Sequence, residues 1–282
     1  MSVPSKTVFL TGASAGIGLL AARALTARGH RVWGTARKRE NLSQDLPHFH
    51  PVVLDLNDRA SIPGVFAAAQ AEAGGAFDAV INNAGSGTFG PLEGFSEAEF
   101  RAQLDLLLLA PLDLVRAALP AMRERNRGLI VNVASLATEF PLPFLAPYSM
   151  SKAALSAMTE GLGIELAHTG IRLVDLRPGD FRTKFHDSTR RIELPPDLAR
   201  AYAPNLEAAW NAIDRNMNAA PDPKLVAEAL VSIVEGRTRR PVVAVGDVFQ
   251  ARIAPLLVRL AHRAWVQWGL RVYYGLKSAR KP

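Results

Sequence analysis

A tyrosine and a lysine stand four residues apart in the segment YSMSK, at Tyr148 and Lys152, within a helical pattern. Residues at i and i+4 share one face of a helix, so the ammonium group would lie beside the phenol. A phenol with a reference pKa of about 10 is a poor acid–base catalyst at neutral pH unless a nearby positive charge favours its anion. The pair could therefore move a proton at a substrate oxygen, although a lone tyrosine here would more simply be a buried helix residue.

A glycine-rich turn, FLTGASAGIG, follows the first apolar run and covers residues 9–18. A turn from strand to helix places free N–H groups and the positive end of the helix next to a bound anion. Gly12 allows the tight turn, Gly16 lets the backbone approach a pyrophosphate, and Gly18 lets the helix lie against the strand. The turn predicts a dinucleotide phosphate site, with a plain strand-to-helix turn as the alternative.

Short β-rich runs alternate with helical patterns along most of the chain. Several of these runs are apolar on both faces, as buried parallel strands require. We predict strands at 6–12, 31–36, 51–54, 77–85, 128–135, 171–179 and 240–246, and helices at 16–28, 58–73, 96–123, 148–168, 197–217 and 222–235. The alternation predicts an α/β fold with a doubly wound parallel sheet of about seven strands and helices on both faces. We expect one catalytic domain over 1–249, including a substrate lid at about 180–221, and a tail over 250–282.

The composition is that of an ordinary globular protein, with 282 residues of which 49% are apolar and 21% charged. The absence of cysteine excludes disulfides, thiol nucleophiles and thiolate metal sites, and we expect no metal. The first residues lack the apolar core of a signal peptide, and no run approaches the roughly 18 apolar residues of a spanning helix. The sequence therefore predicts a cytoplasmic protein.

Five motifs together resemble those of the short-chain dehydrogenase/reductase family. TGASAGIG resembles the family's TGxxxGxG turn, and NNAG at 82–85 is similar to its strand-four motif. Ser135 and YSMSK look like its catalytic serine and its YxxxK pair, and RPGDFRT at 177–183 resembles its PG motif. The resemblance covers roughly residues 5–245. It implies a Rossmann-like fold and hydride transfer between C4 of a nicotinamide and a carbinol or carbonyl carbon.

The resemblance also implies the roles of individual residues. Ser135, Tyr148 and Lys152 would be the catalytic set, with Ser135 donating a hydrogen bond to the substrate oxygen and Lys152 also holding the nicotinamide ribose. The pair Asp55 and Leu56 resembles the pair that contacts the adenine. The residues implied to bind the cofactor are Gly12, Ser14, Ala15, Gly16, Ile17, Gly18, Arg37, Lys38, Asp55, Leu56, Asn83, Ala84, Gly85, Tyr148, Lys152, Pro178, Gly179 and Thr183.

The residues after the second strand favour NADP over NAD. An acid about twenty residues past the turn would bind the ribose 2′-hydroxyl, whereas a basic residue would receive a 2′-phosphate. The segment GTARKRE places Arg37, Lys38 and Arg39 there, with no acid before Glu40. A guanidinium–phosphate contact contributes about 1.5–3 kcal/mol. We predict NADP(H), with Arg37 as the main contact and Lys38 or Arg39 assisting. A solvated basic helix start is the alternative.

One position departs from the family pattern. The family usually has an asparagine thirteen residues before the proline of ALP, where it anchors a water leading to the lysine, and here that residue is Leu107. Leucine cannot hydrogen-bond a water, so either another group such as a backbone carbonyl completes the relay or turnover is weak. A non-catalytic NADP-binding sensor or partner protein is therefore the alternative function.

Apolar residues around the predicted catalytic set favour a lipophilic alcohol, ketone or aldehyde as substrate. The predicted pocket walls are Phe89, Phe140, Phe144, Phe181 and Phe185. Loops that follow strands are often apolar in any case, and the exact substrate is beyond the sequence. The apolar surplus of the helices at 96–123 and 148–168, together with the habit of the family, predicts a homo-oligomer, either a dimer or a tetramer.

The tail carries the basic charge of the chain. Residues 237–282 hold ten Lys/Arg and one acid, while the whole chain has a formal net charge of +7. Because this charge belongs to a tail without interleaved base-stacking motifs, we expect no nucleic acid partner.

We expect one basic amphipathic helix from near Ala254 to Arg271. Cations lie along one side, and the residues mostly on the other side are Ile253, Leu257, Leu260, Ala264, Trp265 and Trp268. Two environments remain open for this apolar side. It packs on the protein's own core or on a second subunit and covers the substrate pocket, or it makes peripheral contact with an anionic membrane through 250–275.

Overall fold

The structure is a computed structural model and describes residues 4–183 and 189–277. The strands of the described residues are β1 (Thr7–Leu10), β2 (Arg31–Ala36), β3 (Phe49–Val53), β4 (Ala79–Asn82), β5 (Thr88–Phe89), β6 (Gly128–Val133), β7 (Ile171–Pro178), β8 (Arg190–Arg191) and β9 (Val242–Val245). Seven of them form a parallel sheet in the order β3-β2-β1-β4-β6-β7-β9, while β5 pairs with β8. The predicted doubly wound, Rossmann-like sheet is confirmed.

Helices cover both faces of this sheet. They are α1 (Gly16–Thr26), α2 (Ile62–Ala73), α3 (Glu97–Leu104), α4 (Ala110–Glu124), α5 (Ala146–Glu165), α6 (Pro196–Ala219), α7 (Lys224–Val234), α8 (Ala254–Leu260) and α9 (Arg263–Tyr273). The alternation along β1 explains the arrangement. Val8 and Leu10 point into a core with α1 and α7, while Phe9 points into a second core with α2 and α4. A strand between two such cores has to be apolar on both faces.

The strand order places the site. β1 has β2 on one side and β4 on the other, so the chain leaves the middle of the sheet in both directions. The carboxyl ends of the strands on the two sides of such a reversal leave a crevice, where ligands bind in doubly wound folds. The glycine turn, Ser135 and Gly179 all follow strands at this edge.

The predicted helix over 96–123 contains a π-helical turn. Ser96 caps α3 in a capping box with Glu99, and a π-helical turn over Asp105–Leu109 separates α3 from α4. Pro111 has no N–H for the carbonyl of Leu107 four residues earlier, and its ring clashes with that carbonyl in a regular α-helix. The wider π turn accommodates the proline, so helical structure continues from Glu97 to Glu124 and the predicted helix is confirmed.

The prediction of one continuous helix in the tail was wrong. Helical structure begins earlier, with a π turn over Phe249–Ile253, and it breaks between α8 and α9. Ala261 has an extended ψ of 148°, and the ring of His262 accepts a hydrogen bond from the N–H of Ala264 at 3.3 Å. His262 therefore starts a second helix, although the spacing of apolar and basic residues in the sequence continues through this point. Within the described residues, no helix is long and apolar enough to cross a membrane.

Candidate active site

The glycine turn after β1 is packed too closely for any larger residue at two positions. A Cβ on Gly12, which has a φ of +71°, would lie 2.9 Å from the Cα of Ala84. A Cβ on Gly18 would lie 2.0 Å from the carbonyl oxygen of Gly12. The turn therefore contacts the residues after β4, and α1 begins directly against the turn.

Thr11 fastens this turn to the NNAG segment. Its hydroxyl oxygen accepts hydrogen bonds from the N–H groups of Asn83 at 2.9 Å and Ala84 at 3.0 Å. The side-chain amide of Asn83 donates back to the carbonyl oxygen of Thr11 at 3.0 Å. Thr11 is buried and was missed in the sequence, although it stands directly before the first glycine of TGASAGIG.

The start of α1 opens into a cavity of about 470 Å³. Ala15, which has no side-chain acceptor, stands at the N-cap, so the first N–H groups of the helix are left to a ligand. The residues predicted to bind the cofactor that line this cavity are Ala15, Gly16, Ile17, Gly18, Asn83, Gly85, Tyr148, Lys152, Pro178, Gly179 and Thr183. A cavity lined both by a helix N-terminus and by a Tyr–Lys pair offers the groups that would hold the pyrophosphate and the nicotinamide ribose of a dinucleotide.

The basic residues after β2 lie next to the turn. The hydroxyl oxygen of Thr35 accepts a hydrogen bond from the N–H of Gly12 at 3.3 Å. The carbonyl oxygen of Thr35 accepts another from the N–H of Ala13 at 2.8 Å. Arg37 follows two residues later and is exposed, as is Lys38, whose ammonium lies 3.8 Å from the carboxylate of Glu40. Arg37 is therefore placed at the rim of the turn with its guanidinium in solvent.

Besides Arg37 and Lys38, five predicted cofactor contacts lie outside the lining of this cavity, and they are Gly12, Ser14, Asp55, Leu56 and Ala84. Asp55 is exposed after β3 and accepts a hydrogen bond from the N–H of Asn57 at 3.0 Å, while Leu56 is buried. Ser14 is half-buried in the turn. Their roles stay predictions.

The Ser–Tyr–Lys set is assembled by β6 and α5. Ser135 follows the end of β6 and shares a hydrogen bond with the phenol of Tyr148, which lies in the first turn of α5. Lys152 is buried one turn later, with its ammonium 5.9 Å from the centre of the Tyr148 ring. The same ammonium donates to the carbonyl oxygen of Val133 at 2.7 Å.

Burial controls the protonation of this pair. Burial raises the pKa of Tyr148 to about 12, the hydrogen bond with Ser135 lowers that pKa, and the charge of Asp180 raises it. Burial lowers the pKa of Lys152 to about 8, against the opposing effect of Asp175. Burial therefore favours the neutral form of the phenol, which is the form that can donate a proton. That the charge of Lys152 favours the tyrosine anion stays a prediction.

A second cavity, of about 550 Å³, adjoins the first among the described residues. The two share Ser135, Leu142, Gly179, Asp180 and Tyr274. The remaining wall is mainly apolar and comes largely from the tail, through Phe249, Ala254, Leu257, Val258, Trp265, Val266, Gly269, Leu270 and Tyr273. Ser135 thus lies where the cleft at the start of α1, called the dinucleotide cleft below, meets this apolar chamber.

The family model described as short chain dehydrogenase matches residues 6–193. The chain belongs to this family. Its members are oxidoreductases, and the predicted family is confirmed over two thirds of the chain.

Individual relatives are similar to this chain well beyond residues 6–193. A 3-ketodihydrosphingosine reductase of Bacteroides thetaiotaomicron is 29% identical over 277 residues, covering 96% of this chain and 98% of the relative. A crystal structure of a short-chain dehydrogenase from Streptomyces avermitilis has a TM-score of 0.76 and 30% identity, covering 98% of this chain and all of that one. A short-chain dehydrogenase from Burkholderia cenocepacia in complex with NADP has a TM-score of 0.72 and 27% identity, covering 96% and 99% of the two chains.

Leu107, the departure from the pattern of this dehydrogenase family, lies beside the lysine. It is fully buried, and a Cβ added to Gly85 would lie 2.9 Å from its side chain and 3.7 Å from the Lys152 nitrogen. The leucine side chain offers no hydrogen bond there. Its carbonyl, however, has no α-helical partner because Pro111 lacks an N–H.

The predicted pocket walls divide into separate groups. Phe140 lines the apolar chamber, and buried Phe181 lines the dinucleotide cleft. Phe185 lies outside the described residues.

Phe89 and Phe144 occupy a third environment. Their rings lie 5.7 Å apart, and Phe89 stacks edge-on against Trp210 of the lid helix α6 at 4.9 Å. In the described part of the chain they belong to the core beneath the lid and line neither of the two cavities. The structure thus places the apolar chamber further towards the tail than the sequence indicated.

Asp180 and Gln250 join the tail to the site. The side-chain amide of Gln250 donates to the carboxylate of Asp180 at 3.0 Å and accepts from its N–H at 3.1 Å. Burial raises the pKa of Asp180. The hydrogen bond from Gln250 lowers this pKa, and the charge of Asp247 raises it further. The two residues are 70 positions apart, so no local spacing could have shown the contact.

Proposed function

We propose that this chain is an NADP(H)-dependent reductase that converts a ketone or aldehyde on a lipophilic chain to the alcohol, with the reverse oxidation under opposite substrate supply. The observation that carries the proposal is the position of the Tyr148 phenol. It shares a hydrogen bond with Ser135 at the junction of the dinucleotide cleft and the apolar chamber.

The reaction divides between the cofactor and the side chains. When bound, NADPH supplies the hydride that reaches the carbonyl carbon. Ser135 holds the carbonyl oxygen by a hydrogen bond, and Tyr148 gives its phenolic proton to the oxygen as negative charge develops there. An alkoxide is a stronger base than a phenolate, so the transfer is favourable even from a phenol with a pKa of about 12.

Lys152 has two tasks in this scheme. Its charge, a short distance from the Tyr148 ring, stabilises the phenolate left after proton transfer. An ammonium has three donors, and one is used by the carbonyl of Val133, which leaves two for the ribose hydroxyls of the cofactor and for a proton relay. We propose the Leu107 carbonyl as the acceptor in that relay, in place of the missing asparagine.

The choice of NADP rests on charge. Arg37 and Lys38 stand at the rim of the glycine turn, where a 2′-phosphate would extend from the adenosine ribose. The relative from Burkholderia cenocepacia, whose structure is in complex with NADP, supports this choice.

The lipophilic substrate rests on the apolar chamber. A volume of about 550 Å³ is within the usual range of small-molecule sites, and its walls are chiefly aliphatic and aromatic. The relative from Bacteroides thetaiotaomicron is named for a ketone on a long alkyl chain, and its similarity spans nearly the whole of this chain. A long-chain ketone is therefore the substrate class that we propose.

A series of unbranched 3-ketones of increasing length, with 3-ketodihydrosphingosine as a further member, tests this class. We expect kcat/KM with NADPH to rise by up to about fourfold for each methylene that is buried, until the chamber is full. Val258→Phe, which narrows the chamber, should shift the optimum to shorter chains. Val272→Phe, an exposed tail position outside the chamber lining, is the matched control.

Two outcomes would count against the proposal. If kcat/KM does not depend on the chain length of the ketone, the proposal of a lipophilic substrate is wrong. NADPH binding without turnover of any carbonyl would favour the non-catalytic sensor.

The assembly of the protein is also a proposal. α5 exposes Met150 and Ile164, and Ile164 is 78% exposed. We propose that α3 and α4, which cover the predicted helix 96–123, form the interface of a homo-oligomer together with α5. A mass of one chain in light scattering at micromolar concentration would contradict it.

A further inference from the structure

Exposed apolar side chains are concentrated on the tail. Of the fifteen large hydrophobic residues that are exposed among the described residues, ten lie between Val248 and Tyr273. Those that stand clear of the chamber lining include Ile253, Leu256, Leu260, Trp268 and Val272, with Leu260 77% exposed. A large contiguous apolar patch on the surface of a protein in water marks a binding site. We call these five residues, with Trp265, the apolar tail face.

The tail is fastened to the body, so this exposure does not come from a detached segment. Gln250 pairs with Asp180, and Arg259 of α8 lies 3.1 Å from the carboxylate of Glu139. Tyr274 is buried, and the N–H of Lys277 donates to Asn205 of the lid helix α6 at 2.7 Å. Both tail helices are thus held with one side inward and the apolar tail face outward.

The charge around this face selects its partner. Residues 237–282 contain ten cations and one acid, and Arg252 and Arg263 are exposed beside the apolar residues. A twofold contact would set the same patch against itself and bring these cations together. An anionic lipid surface offers the opposite charge to the arginines and hydrocarbon to the tryptophans and leucines.

The apolar tail face is continuous with the chamber. Leu257, Trp265 and Tyr273 line the chamber and are each more than half exposed, so its mouth opens on this side of the molecule. We propose that the apolar tail face docks on an anionic membrane surface and that the chamber beside Ser135 opens towards the lipid. Docking on the membrane does not depend on the reaction. Only the entry of the substrate from the lipid into the chamber rests on the proposed function.

Co-sedimentation of the full-length chain with phosphatidylcholine vesicles, with and without phosphatidylglycerol, tests the docking. We expect binding to anionic vesicles that weakens as salt is raised. Leu256→Gln with Leu260→Gln should lower the partition coefficient by about tenfold or more, because two exposed leucines no longer enter the bilayer. Leu92→Gln with Leu225→Gln makes the same change at exposed leucines elsewhere and should leave it unchanged.

A second pair of substitutions separates charge from apolar contact. Arg252→Gln with Arg263→Gln should weaken binding at low salt and reduce its salt dependence. Thermal unfolding of each variant checks that it folds. Neither pair lines the cavities, so NADPH affinity should remain as in the wild type.

The docking proposal has clear contrary results. It is wrong if the wild type stays in the supernatant with anionic vesicles at low and physiological salt, or if the leucine pair binds as well as the wild type. Loss of an oligomer in the leucine pair, without vesicle binding by the wild type, would assign the face to a second copy. Because vesicle binding needs no turnover, a protein that binds vesicles but reduces no ketone keeps the docking and loses the reaction.

Discussion

Tyr148→Phe is expected to lower kcat for carbonyl reduction by about 10²–10⁴-fold, the usual contribution of a positioned acid. In the proposed reaction the Tyr148 phenol gives the proton, and phenylalanine keeps the ring without that proton. The affinity for NADPH, measured by fluorescence, should change little because the turn and Lys152 remain. Single-turnover measurement of NADPH consumption separates the chemical step from binding and release.

A second tyrosine in the lid gives a matched control. Tyr202 contacts Glu93 through its hydroxyl and is exposed at that hydroxyl, away from both cavities. Tyr202→Phe should therefore turn over as the wild type does. Turnover of Tyr148→Phe within tenfold of the wild type would show that another group supplies the proton.

Arg37→Asp is expected to reverse the cofactor preference. Loss of a charged contact of about 1.5–3 kcal/mol corresponds to about 10–150-fold in kcat/KM for NADPH. Repulsion between the new carboxylate and the 2′-phosphate adds to this loss, while the carboxylate can accept the ribose 2′-hydroxyl of NADH. The measurement is the ratio of kcat/KM with NADPH to that with NADH on the same ketone.

Arg240→Asp makes the same charge change at the opposite edge of the sheet. Arg240 is exposed just before the amino end of β9, whereas the site lies at the carboxyl ends of the strands. Its NADPH to NADH ratio should be unchanged. An unchanged ratio in Arg37→Asp as well would place the 2′-phosphate elsewhere.

The fold could be predicted because its determinants are local in sequence. Val8, Phe9 and Leu10 are apolar in succession because β1 lies between two cores, and that run precedes the glycine turn directly. Each of the predicted strands corresponds to an observed one, with ends that differ by a few residues. The Tyr–Lys spacing likewise placed two side chains on one face of α5.

The remainder depended on contacts between distant parts of the chain. The pairing of Gln250 with Asp180, and with it the tail wall of the chamber, has no trace in local spacing. Phe89 and Phe144 looked like pocket walls because they are aromatic and near the site in sequence, but the lid helix covers them with Trp210. The direction in which burial shifts the pKa of Tyr148 was not predictable for a similar reason, since charge can be counted in a sequence whereas burial cannot.

Transfer of deuterium from NADPH labelled at C4 to a long-chain ketone tests the central claim most directly. The product alcohol should carry one deuterium on the carbinol carbon when the label is on the transferred side of the nicotinamide. It should carry none on that carbon when unlabelled NADPH is used in deuterated water, since Tyr148 delivers only the oxygen-bound proton. An alcohol without deuterium on carbon in the first experiment, or no alcohol at all, would contradict the assignment of this chain as an NADPH-dependent carbonyl reductase.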